Sequence, residues 1–340
     1  MMVTRNMTQG KKPTSVFALP PAMYDVLYAG EPRDRIDTLS DVIGGPVETS
    51  DLLKLDRLAE VDILFAGWQS PTLDASLLAR MSRLRAVFYA SGSIKHLVTD
   101  AFWKRGIVIT SAAQANAIPV AEYAHAAIIL SLKRAWFYER AYHRERKKPG
   151  YVPMPGAFRS TVGLVSLGAI GRRVAEKLHD SDIRVVAYDP YVRPELAESR
   201  HIQMMDLAGL FRCSDVVSLH TPLLKETEGL ITGAHIESMK PNATLLNTSR
   251  AQIVRETEMI DVLLRRPDLT AVLDLTDPYP PVPGSPLYEL PNIVLTPHIA
   301  GSMGDECKRL GWTMAEEAAR YVSGQPLQWS ITREQEQRMA

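Results

Sequence analysis

The sequence predicts an α/β fold built as two doubly wound parallel-sheet domains, on three observations. Its 340 residues are enough for two domains with separate cores. Short apolar strands alternate with helical segments, and this pattern stops at a proline- and glycine-rich stretch and then restarts. Just after the restart, the turn Ser166–Gly171 runs from an apolar strand straight into an amphipathic helix.

The first half supplies strands at Ser15–Leu19, Ile63–Ala66, Ala86–Tyr89 and Ile107–Ile109, each short and rich in β-branched or aromatic residues. Asp74–Met81 and Ile94–Lys104 read as helices between them, an alternation that requires parallel strands with crossovers. A long helix is predicted from about Pro119 to His143, with Pro119 in its first turn. Its basic end (Arg144, Arg146, Lys147, Lys148) reads as a solvated terminus complementing the helix dipole. The stretch PGYVPMPG that follows is the clearest linker in the chain. Six strands come next: Val162–Ser166, Arg184–Tyr188, Val216–Leu219, Thr244–Asn247, Ala271–Leu275 and Ile293–Thr296. Six in βα alternation make a complete Rossmann-like domain, and a last helix, about Met303 to Ser323, returns from it.

Composition narrows the functional classes. Lysine plus arginine equals aspartate plus glutamate at 39 each, so no electrostatic footprint for nucleic acid or an anionic membrane is expected. The two cysteines, Cys213 and Cys307, form no metal-ligand or disulfide spacing, which favours a reducing cytoplasmic compartment and predicts no metal site. The polar N-terminus MMVTRNMTQGKKP lacks the apolar core of a secretory signal and reads as an unpacked tail. The longest apolar stretch, Val120–Leu132, is shorter than the roughly 20 residues of a bilayer span and reads as a buried helix.

The chemistry starts at TVGLVSLGAIGRRVAEKL. Gly168 lets the backbone approach a pyrophosphate, Gly171 lets the helix sit tightly on its strand, and the N–H groups of Ala169 and Ile170 point at the anion. Asp189 follows at the end of the next strand, close to the ~20-residue interval at which an acid takes the ribose hydroxyls. An acid there repels a 2′-phosphate, so NAD is favoured over NADP, with Arg193 keeping NADP as a secondary option. Ser166 stands where the first glycine belongs; it is tolerated at negative φ and costs about 1 kcal/mol of strain otherwise.

With that turn placed, the chain from about Ala86 to Leu327 resembles the NAD-dependent D-isomer-specific 2-hydroxyacid dehydrogenase family. Seven blocks carry the resemblance in order: YASGSIKHLV, NAIPVAEYAHAAIILSLKR, VGLVSLGAIGR, SDVVSLHTPLLKETEGLI, MKPNATLLNTSRAQIV, AVLDLTDPYP and LPNIVLTPHIAGS. The resemblance implies a reductase of 2-oxoacids to D-2-hydroxyacids. In it, Arg250 anchors the substrate carboxylate and polarises the carbonyl, and His298 is the general acid/base. It also implies that Gly92 and Ser93 offer backbone N–H groups to the carboxylate. Thr221, Pro222, Thr248, Ser249, Asp274 and Gly301 would surround the cofactor beside Ser166–Gly171. The family's organisation implies a discontinuous substrate domain, residues 1–112 and 304–340, an NAD-binding domain at 113–303, a cleft between them, and a homodimer.

The sequence departs from the family at several positions. Tyr279 falls where an acid pairs with the histidine; a buried His298 facing a neutral phenol is protonated less readily than one facing a carboxylate. Three readings follow from this. The enzyme works with a less charged pair or borrows Asp277; or it needs no proton relay, as in the formate dehydrogenase branch; or it is an NAD-binding regulatory or corepressor-like relative with weak turnover. Ala251 replaces a glycine and Ser111 an asparagine, without deciding between these readings.

Overall fold

A computed structural model of the chain describes residues 12–193, 195, 197 and 201–339. The expected N-terminal tail lies, over residues 1–11, outside the described residues. The chain divides into two compact units, one formed by Met1–Asn116 with Ser302–Met339 and the other by Ala117–Gly301.

The first unit holds five parallel strands, β1 (Thr14–Phe17), β2 (Asp41–Val42), β3 (Ile63–Ala66), β4 (Ala86–Tyr89) and β5 (Val108–Ser111), in the order β2-β1-β3-β4-β5. Every residue of β1, β3 and β4 is buried, as a sheet covered on both faces requires. One face carries Val16, Leu64, Val87 and Ile109 under Leu77 and Phe102. The other carries Phe17, Phe65 and Phe88, stacked at 5.2 and 5.6 Å, under Leu310 and Met314 of the helix Glu306–Val322. Gly311 on that helix faces Leu27, whose carbonyl oxygen would lie 1.9 Å from an added Cβ, so only glycine lets the two elements meet. The chain end then adds to the sheet edge: Ser111 N–H donates to Trp329 O and Ile331 N–H to Ile109 O. Buried Glu317 fixes this segment by accepting from the N–H groups of Gln328 and Trp329.

The second unit holds β6 (Thr161–Val165), β7 (Arg184–Tyr188), β8 (Gln203–Met204), β9 (Val216–Leu219), β10 (Thr244–Asn247), β11 (Thr270–Leu273) and β12 (Ile293–Leu295). All pairings are parallel, in the order β12-β11-β10-β9-β6-β7-β8. The chain runs outward from β6 through β7 to β8, then returns to the other side at β9. The gap between the C-terminal ends of β6 and β9 is therefore a topological switch point.

Four expectations need correction. The helix predicted at Ile94–Lys104 is only Asp100–Lys104, because Thr99 is extended and its hydroxyl caps the Phe102 N–H. The helix predicted at Pro119–His143 is two helices, Ala113–Leu132 and Ala135–Glu145, with Pro119 inside the first rather than at its start. The break is at Arg134, left-handed at φ 52°, whose guanidinium donates to Asn242 Oδ1 and lies 4.6 Å from the Phe137 ring centre. PGYVPMPG is no linker between the units. It is tied to these helices, Val152 N–H donating to Tyr138 Oη and Gly156 N–H to Leu132 O, and the boundary between units falls at Asn116/Ala117. Finally, the apolar helix has 20 residues, long and apolar enough to cross a membrane by length and composition, but its Ala121, Ala124, Ile128 and Leu132 lie in the core of the second unit.

Candidate functional site

The site is built at the C-terminal ends of the second unit's strands. From β6 the chain turns through Ser166 and Leu167 into the helix Ala169–Leu178, with Gly168 as its N-cap. No side chain caps this helix, so the N–H groups of its first turn, including Ala169 and Ile170, keep the unsatisfied positive end. A Cβ on Gly168 would meet nothing within 4 Å, whereas a Cβ on Gly171 would lie 2.1 Å from Ser166 O. The two glycines thus serve different purposes, one leaving open space in front of the turn and the other permitting contact behind it.

Ser166 adopts φ 76°, the left-handed conformation that its replacement of glycine made costly. Its Oγ lies 3.2 Å from Thr221 Oγ1, while the Thr221 hydroxyl reaches Val165 O at 3.3 Å. This hydroxyl pair bridges the loops after β6 and β9, across the switch point. Ser166→Ala keeps the strained φ with a Cβ, and Ser166→Gly relieves it; both lose the hydroxyl. The alanine variant should be about 1 kcal/mol less stable than the glycine variant in urea titration. Equal midpoints would show that the turn relaxes to accommodate a side chain.

Asp189, after β7, accepts from Leu167 N–H through Oδ2 and from Tyr191 N–H through Oδ1, each at 2.8 Å. One further lone pair on each oxygen stays available, and the residue is only partly buried. After β9, Pro222 O accepts from Thr227 Oγ1 at 2.7 Å, which holds that loop. Two buried polar atoms here have no partner among the described residues, His220 Nδ1 and Thr248 Oγ1. Burial lowers the His220 pKa to about 4, so its imidazole is neutral, with Nε2 3.0 Å from Ser218 Oγ.

The loop after β10 carries Arg250. Asn247, buried at the strand end, organises it with both ends of its amide: Oδ1 accepts from Ser249 N–H and Oγ, and Nδ2 donates to Arg250 O. The guanidinium donates through Nη1 to Ser249 O at 2.7 Å, and burial lowers its pKa. Four of its five N–H groups have no hydrogen-bond partner among the described residues. Asn247 and His220 were not singled out from the sequence. The signal for Asn247 was an amide at a strand end followed by a polar loop, a position at which asparagine shapes turns.

His298 stands on the loop after β12, and Asp274 after β11 shapes that loop. Oδ1 accepts from Thr296 Oγ1 (2.7 Å) and Ile299 N–H (2.9 Å), and Oδ2 from Ala300 N–H (3.0 Å), next to Gly301 at the end of the unit. His298 itself has φ 54°, and its N–H is held by Asp274 O and Thr296 O. The expected buried His298 is an exposed residue, although the protein on its other side still desolvates the ring. That desolvation lowers its pKa, the Asp274 charge partly restores it, and Arg250 lowers it again. Tyr279 does stand beside it, edge-on with ring centres 6.1 Å apart, but no hydrogen bond joins the two side chains. Asp277 is exposed and next to Glu256, whose carboxylate accepts its N–H, and no hydrogen bond or ion pair joins its side chain to His298.

Gly92 and Ser93 belong to the first unit, on the loop after β4, and are partly buried. No group of three or more histidine, cysteine or acidic side chains that could hold a metal occurs among the described residues.

The groups around the switch point fit a dinucleotide. They comprise an uncapped helix start for the pyrophosphate, open space at Gly168, an acid with spare lone pairs at Asp189, and two orphaned buried polar atoms. Comparison with known proteins points the same way. Residues 126–300 match the D-isomer specific 2-hydroxyacid dehydrogenase, NAD binding domain. The chain is 31% identical over 262 residues to the D-3-phosphoglycerate dehydrogenase of Archaeoglobus fulgidus, covering 76% of this chain and 49% of that protein, about half its length. It is 31% identical over 250 residues to the (S)-sulfolactate dehydrogenase of Chromohalobacter salexigens, covering 73% of this chain and 81% of that one. A crystal structure from Thermus thermophilus superposes with a TM-score of 0.75 at 27% identity, covering 94% of this chain and 100% of that one. The chain therefore belongs to the D-isomer-specific 2-hydroxyacid dehydrogenase family, and its residues 126–300 are that family's NAD-binding domain.

Proposed function

We propose that the protein is an NAD-dependent oxidoreductase that interconverts a 2-oxoacid and a D-2-hydroxyacid. The observation that carries this reading is electrostatic proximity: Arg250 lies close enough to His298 to depress its proton affinity, on loops that follow strands of the dinucleotide sheet. A guanidinium with free N–H groups beside an imidazole suits a substrate with a carboxylate and an adjacent carbonyl.

When bound, NAD supplies the hydride chemistry at the substrate carbon. The helix start at Ala169 and Ile170, with Gly168, Gly171 and Ser166 shaping the turn, would hold the pyrophosphate, and Asp189 the ribose. Thr221, Pro222, Thr248, Ser249, Asp274 and Gly301 would line the nicotinamide end. Arg250 holds the carboxylate and polarises the carbonyl, and the N–H groups of Gly92 and Ser93 bind the same carboxylate. His298 donates its proton to the carbonyl oxygen in reduction and removes it in oxidation. Two free cysteines fit a cytoplasmic setting. Exposed Tyr142, Tyr151 and Phe158 supply apolar area for a homodimer.

The test is NADH oxidation with glyoxylate, hydroxypyruvate, pyruvate and bulkier 2-oxoacids from about pH 5 to pH 9. Turnover with at least one is expected. Tight NADH binding without any turnover would favour the second reading, an NAD-binding regulatory or corepressor-like protein, which the missing carboxylate at Tyr279 makes specific. NAD reduction by formate with no 2-oxoacid turnover would point instead to chemistry without a proton relay.

A further inference from the structure

Ser111 is the last residue of β5, fully enclosed, and its hydroxyl makes an unusual set of contacts. Its Oγ lies 2.9 Å from Ser91 O and 2.5 Å from Gly92 O, one proton shared between two consecutive carbonyls, and it accepts from Ala113 N–H at 3.2 Å. The peptide bonds Ser91–Gly92 and Gly92–Ser93 are both trans, so in each the N–H points away from the C=O. Drawing both carbonyls to one hydroxyl therefore turns the N–H groups of Gly92 and Ser93 together to the opposite side. Neither N–H has an acceptor among the described residues. A Cβ on Gly92 would meet nothing within 4 Å, and the buried Ser93 Oγ on the same loop has no partner among the described residues. Two convergent amides with open space and a spare hydroxyl form a concavity suited to an anion.

We propose that Ser111 is a positioning residue that holds the Gly92–Ser93 loop as a two-amide receptor for the substrate carboxylate. This rests on the assignment of those amides to carboxylate binding made above, and adds the group that pre-orients them. In this role Ser111 acts through the loop and not on the substrate itself. Without its hydroxyl the two peptide planes are free to rotate, and the carboxylate must then be bound against the cost of reordering them.

The probe is oxamate, an unreactive 2-oxoacid mimic, titrated into the NADH complex of the wild type, Ser111→Ala and Ser111→Thr. Ser111→Ala should weaken oxamate about five- to tenfold, the loss of one net hydrogen bond, and raise KM for the 2-oxoacid with kcat little changed. NADH affinity should stay at the wild-type value, and Ser111→Thr, which keeps the hydroxyl, should restore oxamate binding. Amide resonances of Gly92 and Ser93 in the wild type should move on adding oxamate. If they stay still, the carboxylate assignment itself fails. If they move while Ser111→Ala binds oxamate as tightly as the wild type, the assignment stands and the role of Ser111 is overturned. A parallel loss of NADH affinity in Ser111→Ala, or no recovery in Ser111→Thr, would mark a general structural defect and overturn it as well.

Discussion

Replacing His298 with asparagine should lower turnover about 100- to 10,000-fold while leaving NADH affinity near the wild-type value. In the proposed mechanism the residue serves the substrate and takes no part in the dinucleotide turn, so the loss should appear in kcat. Wild-type turnover retained in the variant would remove the proton-transfer role from this residue. Its pH dependence has a definite sign. Desolvation, with Arg250 adding to it and Asp274 partly opposing it, puts the imidazole pKa below the ordinary 6.5, so the neutral form dominates at pH 7. Reduction needs the imidazolium and should gain rate as pH falls through that lowered value. Oxidation needs the neutral ring and should already be at its plateau at neutrality. Tyr279→Glu would set a carboxylate beside the imidazole and stabilise its charged form, moving the reductive limb to higher pH. An unchanged profile would mean that another carboxylate already serves His298.

The second large effect separates two neighbouring glycines. In Gly171→Ala the new Cβ would lie 2.1 Å from Ser166 O and 3.1 Å from Ser166 C, backbone atoms that yield only if the strand–helix turn moves. A loss of about 3 kcal/mol, at the upper end for overpacking, corresponds to roughly 6–12 °C in the melting of a unit this size. Gly168→Ala should behave in the opposite way. Its φ of −70° suits alanine and its Cβ meets nothing, so stability should hold or rise slightly. The added methyl would occupy the space through which the pyrophosphate approaches the backbone, so NADH affinity should fall about tenfold or more, roughly 1.4 kcal/mol. Calorimetric melting and NADH fluorescence titration on both variants provide the check. A Gly168→Ala protein that binds NADH normally would place the dinucleotide elsewhere.

Legibility in the sequence followed the range of the interactions involved. The fully buried strands could be read because burial on both faces leaves uninterrupted apolar runs, as in β3 and β4. β2 and β8 could not, since each has two residues, neither buried, and owes its existence to pairing with a neighbour. The break at Arg134 carries no glycine or proline to announce it; Asn242, far along the chain, accepts from its guanidinium. In the site, Gly168, Gly171 and Asp189 were readable because their spacing reflects the turn they build. The left-handed Ser166, the brace formed by Asn247 and the double contact of Ser111 depend on which carbonyl meets which hydroxyl or amide. That information exists only once the loops are folded.

The split of the first unit around the second has a consequence for synthesis. The stacked face of Phe17, Phe65 and Phe88 is covered in part by Leu310 and Met314, from a helix made about 220 to 290 residues after the strands. At ordinary translation speeds the gap lasts ~10–60 s. The segment Ala117–Gly301 is contiguous and holds its whole seven-stranded sheet, so it has every strand it needs as soon as β12 emerges. The part of the chain made first is thus completed last. Leu27 and Tyr28 can pack on its aromatic sheet face early, but the part that Leu310 and Met314 cover must wait, bare or chaperoned, for the helix Glu306–Val322.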